Sequence, residues 1–312
     1  MGCISLPGGK FSSVPEESFV ALGCFDGLHA GHRALLAHAA DAAGAACLPL
    51  AVWSPEGAKD APRIGFPSVR RDRLARLGVR YLFEDRYEEI RALSPRAFFE
   101  EYLIGKYRAA GVACGENFTF GAARAGDAGT LGALCAEYGV RFFSEPCVTV
   151  GGTAVSDSRV RELLQKGNAE EARVLLQAPY AFDARAVSGR HVGRTIGFPT
   201  INLPLPPGFL LPFGVYAALL AFDAPDGRKI CRAAADVGVH PTFGSADLPR
   251  CEVHLLEPFL PEKGKLLRVG FMTYVRPEES FRSADELKDR IKTDVEVISR
   301  YFDRLPAKAF DV

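Results

Sequence analysis

Ser18-Phe19-Val20-Ala21-Leu22-Gly23-Cys24-Phe25-Asp26-Gly27-Leu28-His29-Ala30-Gly31-His32 is the stretch on which the fold of this 312-residue chain turns. Ser18 to Cys24 is short and mostly apolar, the pattern of a strand buried on both faces of a sheet. Gly31 to Ala43 is rich in Ala and Leu and predicts a helix. Between them, Gly23, Gly27 and Gly31 allow a tight turn and let a ligand approach the backbone. A helix start offers unpaired amides and the positive end of its dipole, so the junction suits a phosphate. His29 and His32 stand three apart and can point to one side of the first helical turn. As donors they can neutralise charge developing on phosphorus during in-line attack, with no covalent intermediate. HxGH alone is short enough to arise by chance. The strand-turn-helix setting and the full ten-residue pattern from Gly23 favour a site over chance. A dinucleotide fold would need GxGxxG here, and the stretch lacks it.

Outward from this stretch, residues 18 to 177 alternate strand-like and helix-like patterns, which argues for a doubly wound parallel sheet. Further strands are expected at Cys47 to Trp53, Val79 to Phe83, Gly111 to Cys114 and Val140 to Phe143. Helices are expected from Val69 with Ser68 as cap and Gly78 as stop, and from Ser94-Pro95 with Ser as cap and Pro at the first position. Two more should follow Ser156 and Asn168, the latter with Glu171 in a capping box. After Pro179 the texture changes. Residues 180 to 275 carry short alternating runs broken by Gly and Pro, as in a small antiparallel barrel or sandwich. A helix capped by Ser283 and Glu286 closes the chain, with Leu287, Ile291, Val295, Ile298 and Phe302 at helical spacing.

Composition narrows the function classes. The 38 basic residues balance 38 acidic ones, so no overall field draws the chain to nucleic acid or an anionic membrane. The arginines at 70, 71, 73, 76 and 80 are expected to form a solvated helix face rather than a nucleic-acid patch. None of the eight cysteines makes a CxxC pair or a metal-like spacing with histidine, which points away from zinc and towards a reducing, cytoplasmic interior. No stretch approaches a membrane span, and the N-terminus has no apolar run of signal-peptide length.

The ten residues Gly23 to His32 resemble the signature of the HxGH nucleotidylyltransferases, in the version found in bacterial bifunctional riboflavin kinase/FAD synthetases. Gly115-Glu116-Asn117-Phe118-Thr119-Phe120-Gly121, with Gly126-Asp127, is similar to that family's second adenylyltransferase motif. Val155-Ser156-Asp157-Ser158-Arg159-Val160-Arg161 resembles its third, SSTxIR. The resemblance implies that Gly23, Phe25, Asp26, Gly27 and Gly31 cradle ATP and that His29 and His32 act on its phosphates. It also implies that Asn117 lies near the transferred group and that Ser156, Ser158 and Arg161 clamp the triphosphate. Two departures stand out. Asp157 replaces a serine, and Trp53-Ser54-Pro55-Glu56-Gly57 lacks the histidine of the family's aromatic-Asp-Pro-His-Pro stretch.

A second constellation lies downstream. Gly189, Gly193 and Gly197 punctuate a loop that runs into Phe198-Pro199-Thr200-Ile201-Asn202; read alone, it is a turn and not a P-loop. Gly197 to Asn202 is similar to the GFPTAN motif of riboflavin kinases, and Leu211 to Tyr216 resembles their Pro-x-GVY strand. Asp236 to Thr242 parallels their NIGxxPT turn with Asp236 in place of asparagine, and Cys251 to Leu256 resembles VEVHLL. The resemblance makes Glu252 the base for the riboflavin hydroxyl, Thr200 and Asn202 the holders of Mg²⁺, and Gly193 and Gly197 part of the ATP loop. Strand periodicity alone equally allows Glu252 to be an outward polar residue, with His254 on the same face.

The resemblance implies an α/β nucleotidylyltransferase domain at 1–178, making FAD from FMN, and a small antiparallel β-barrel with a C-terminal helix at 179–312, making FMN from riboflavin. Both reactions would use ATP and Mg²⁺. The implied partners are riboflavin, FMN and ATP, with no nucleic acid or membrane, in a monomer or weak homo-oligomer. Flavin-contacting residues are not assigned. Three other readings stay open on the same residues: a kinase with a degenerate nucleotide-binding module, a non-catalytic flavin or nucleotide sensor, and a nucleotidylyltransferase for another substrate.

Overall fold

The computed structural model describes residues 4–7, 16–57, 61–188, 196–239, 248–258, 261–262, 264–306 and 312. The chain divides into two compact units, one of residues 1–61 with 67–157, the other of 62–66 with 158–312.

The first unit is built on a six-stranded sheet of β1 (Ile4–Pro7), β2 (Ser18–Leu22), β3 (Leu50–Trp53), β4 (Val79–Glu84), β5 (Ala109–Gly115) and β6 (Arg141–Glu145). The spatial order is β1-β4-β3-β2-β5-β6, and all neighbours run parallel. All five residues of β2 are buried, as its apolar run requires. Phe19 and Ala21 face Leu35, Leu36 and Ala39 of α1 (Ala30–Ala45). Val20 and Leu22 face the opposite layer, which contains Phe98, Phe99, Leu103 and Leu131 of α3 (Ala128–Glu137). Gly111 of β5 lies so close to Phe19 that a Cβ there would come within 2.3 Å of its ring.

The chain winds from β2 outward through β3 to β4, then returns to place β5 on the other side of β2. This reversal is a topological switch point, and open α/β sheets bind ligands in the crevice beyond the strand ends at such a point. Gly23 to His32 leaves β2 there.

Local chemistry sets the helix ends. Ser94 Oγ accepts the Ala97 amide at 3.1 Å and Pro95 takes the first helical position, after which Phe98–Lys106 winds with π-type turns. α2 (Pro67–Arg76) starts at Pro67, so Ser68 lies inside the helix rather than capping it. Gly78 (φ +83°) ends it in a left-handed conformation, as expected of a helix stop. Alternation did not anticipate β1, which pairs with β4 at the sheet edge.

α4 (Asp157–Gln165), whose first residue still belongs to the first unit, is followed in the second by α5 (Ala169–Leu176), whose N-cap Asn168 makes no side-chain capping bond. The capping box read there is therefore not formed, and Asn168 N–H instead bonds Leu163 O at 2.9 Å. A six-stranded antiparallel sheet follows: β7 (Tyr180–Arg185), β8 (Ile201–Pro204), β9 (Gly214–Ala224), β10 (Gly227–Gly238), β11 (Arg250–Leu255) and β12 (Leu266–Arg276), in the order β7-β12-β9-β10-β11-β8. Val187, just past β7, bridges antiparallel to Asn202 of β8, donating N–H to its carbonyl at 2.9 Å. The two ends of the order thus meet, and the sheet curls into a barrel. The C-terminal helix α6 (Ala284–Asp303), capped by Ser283 Oγ on the Glu286 amide, packs on β9, β10 and β12. Arg276 of β12 grips Asp294 of α6 with two donors, at 3.0 and 2.7 Å, both side chains buried.

Candidate active sites

The turn after β2 bends at two non-glycine residues in the left-handed region, Phe25 (φ +44°) and Leu28 (φ +51°), both buried in the core. Such backbone persists only where its surroundings over-determine it. Two anchors do so. Ser54 Oγ donates to Cys24 O at 2.7 Å, and Arg70 donates from Nε to Phe25 O at 3.0 Å and from Nη2 to Cys24 O at 3.4 Å. Arg70 is 2% exposed and its Nη1 pairs with Glu84 at 2.7 Å. The expectation of a solvated arginine face therefore fails at this position, because the α2 register turns Arg70 inward under the turn; Arg71, Arg76 and Arg80 are exposed.

His29 caps α1. Its Nδ1 accepts the His32 amide at 3.3 Å, so in the neutral ring the proton sits on Nε2. The two imidazoles stack, with centroids 3.8 Å apart, and Gly31 leaves room for the His29 ring, since a Cβ there would come within 3.3 Å of it. His29, His32, Gly23, Gly31, Asn117 and Ser156 line one cavity of about 440 Å³, walled also by Trp53, Phe98, Phe118 and Phe120. Gly27 is buried in the turn, and Asp26 is partly exposed. Ser158 and Arg161 belong to the second unit, where Arg161 Nε donates to Pro62 O at 2.9 Å.

Beneath the cavity's Trp53 lies a polar cluster that sequence reading missed. Asp85 accepts from Trp53 Nε1 at 2.7 Å and from Tyr107 Oη, and Lys106 Nζ pairs with it at 2.6 Å. Burial, then the Asp85 charge, pushes the Tyr107 phenol far above its ordinary range, so it remains a donor. The only signal was a charged residue directly after an apolar strand, which any loop carries.

In the second unit, Asn202 of β8 stands directly opposite Glu252 of β11, and Asp236 of β10 stands opposite it on the other side. Directly opposed residues share a face. Thr200 Oγ1 donates to Glu252 Oε2 at 3.2 Å. His254, two residues on, meets the Pro199 carbonyl through Nδ1 at 3.0 Å and Phe198 edge to face. Cys251 and Val253 turn into the barrel core, where burial pushes the Cys251 thiol up and keeps it neutral. Gly197 adopts φ +90°, a position favouring glycine. Gly189, Gly193 and the stretch His240 to Thr242 lie outside the described residues.

Comparison with known proteins matches a FAD synthetase family model over residues 11–159 and a riboflavin kinase family model over 176–302. A bifunctional riboflavin kinase/FMN adenylyltransferase of Escherichia coli (strain K12) is 34% identical over 304 residues, covering 94% of this chain and 95% of that protein. The chain belongs to the bifunctional riboflavin kinase/FMN adenylyltransferase family. The member from Bacillus subtilis (strain 168) is 30% identical over 303 residues, covering 93% of this chain and 94% of that protein. Among solved structures, one described as a macrolide-efflux protein from Streptococcus pneumoniae superposes with a TM-score of 0.81 at 30% identity, covering 95% of this chain and 99% of that one. Among the described residues no helix is long and apolar enough to cross a membrane. The parallel sheet followed by an antiparallel barrel and terminal helix is the order that the two matched family models give.

Proposed function

We infer that this chain phosphorylates riboflavin to FMN with ATP and adenylates FMN to FAD with release of pyrophosphate, residues 1–178 performing the second reaction and 179–312 the first. The observation that carries the adenylyl assignment is the convergence of His29, His32, Asn117 and Ser156 on one cavity at the switch point of the parallel sheet. In our reading an FMN phosphate oxygen attacks the α-phosphorus of ATP in line while pyrophosphate leaves. Gly23, Phe25, Asp26, Gly27 and Gly31 shape the turn that receives the phosphates, and the His29 Nε2–H with His32 offsets charge growing on phosphorus. Ser156 adds a hydroxyl donor for the triphosphate. The aromatic wall of Trp53, Phe98, Phe118 and Phe120 suits a flat, apolar flavin ring.

In the kinase half, Glu252 takes the proton of the riboflavin 5′-hydroxyl as its oxygen attacks the γ-phosphorus and ADP departs. A carboxylate facing a hydroxyl and an amide is a set of hard oxygen donors, which fits Mg²⁺. Thr200 and Asn202 would hold that ion, and its chemistry would be to neutralise the phosphates. Gly193 and Gly197 belong to the ATP loop in this reading. We assign the work to the cytoplasm, where ATP is made and thiols stay reduced.

Incubation of the pure chain with riboflavin, ATP and Mg²⁺, with the flavins resolved by chromatography, should yield FMN and then FAD. FMN as the sole product would remove the adenylyl assignment, and absence of both would remove the whole reading.

A further inference from the structure

Asp157 stands where the motif of the family has a serine, and it is 6% exposed. Its Oδ1 accepts the Gly27 amide at 3.5 Å and lies 3.8 Å from His29 Nε2. Both partners are donors: an amide has only its proton to offer, and His29 carries its ring proton on Nε2 because Nδ1 accepts the His32 amide. The carboxylate is also the first residue of α4, where the helix dipole favours negative charge. His29, His32 and Asp157 bring ligand atoms within 4.8 Å of one another, close enough to suggest a metal site. The tautomer argues against that, since His29 presents a proton rather than a lone pair.

We propose that Asp157 is a resident anion in the phosphate cradle, a specificity-determining residue that occupies the donors a triphosphate must use and so sets the ATP affinity of adenylyl transfer. The proposal rests on the reading of this cavity as the adenylyl site. A phosphate oxygen and the Asp157 oxygen cannot both hold the Gly27 amide. ATP must turn the carboxylate aside and then bind beside a like charge, which disfavours it. A serine would leave the same donors open and add one more.

The test is steady-state FAD formation from supplied FMN, with KM for ATP and kcat read separately for wild type, Asp157→Ser and Asp157→Asn. FMN formation from riboflavin serves as an internal measure of folding. The expected result is a KM for ATP lowered about tenfold or more in Asp157→Ser, equivalent to ~1.4 kcal/mol, with kcat maintained. Asp157→Asn, which keeps the acceptor but not the charge, should fall between. A KM for ATP that is unchanged or raised, or a kcat that drops, would overturn it and make Asp157 a support for His29. If no form makes FAD while all make FMN, the adenylyl reading of the cavity fails, and the proposal with it.

Discussion

The two sites are made in opposite ways. The proposed adenylyl cavity depends on bent backbone: Phe25 and Leu28 hold left-handed conformations, and Ser54 and Arg70 reach in from other elements to fix the carbonyls between. The proposed kinase face depends on register: Asn202, Glu252 and Asp236 meet because antiparallel β8, β11 and β10 align them, and Thr200 joins from the adjoining residues. A site made by register is stabilised by the whole ladder and is sensitive mainly to its own side chains. A site made by a strained turn is sensitive also to distant anchors that never touch substrate.

Three substitutions can break or sharpen that contrast. The largest effect is expected from Glu252→Gln, which removes the proposed base while keeping its size. FMN formation should fall about a hundredfold or more, while supplied FMN is still converted to FAD; loss of both reactions in a folded variant would contradict independent sites. His29→Ala should act in reverse, lowering FAD formation by roughly 10²–10³ and sparing FMN formation, and a matched decline in FMN would count against the same independence. Arg70→Lys should have the smallest effect. Lysine keeps a charge for Glu84 but has no planar fork to serve Phe25 and Cys24 at once. Loss of one or two bonds at about 1 kcal/mol each predicts roughly a tenfold fall in FAD formation. Unaltered FAD kinetics would show that the turn does not need its anchor.

Strand and helix types were legible because β2 is apolar from Phe19 to Leu22 and the Ala-rich run after it has no competing pattern. Ser94-Pro95 and Ser283 signalled their helices through bonds confined to a few neighbouring residues, and these formed. Asn168 carried the same signal without the bond, since a neighbouring turn took its amide. The burial of Arg70 was not legible. Its partners are the carbonyls of Cys24 and Phe25, and carbonyls have no sequence signature. The Asp85 cluster was hidden for a related reason, joining Trp53, Lys106 and Tyr107 across long separations. Motif resemblance brought out Thr200, Asn202 and Glu252 together, whereas period-two alternation could say only that Glu252 faced away from Cys251 and Val253. The placement of Asp157 against Gly27 and His29 needed the fold, because its helix returns to the turn from 130 residues along the chain.

The bridge between Val187 and Asn202 has a consequence for how this family can vary. It pins the two ends of the stretch that carries Gly193, Gly197 and Thr200 to one point on the barrel wall. Once the ends of a loop are joined, doubling its length costs only about 0.6 kcal/mol of closure entropy. Insertions and deletions ahead of Gly197 are therefore thermodynamically cheap, while Asn202, fixed in the seam itself, keeps its position opposite Glu252. The barrel can tolerate such changes and leave Asn202 in place opposite Glu252.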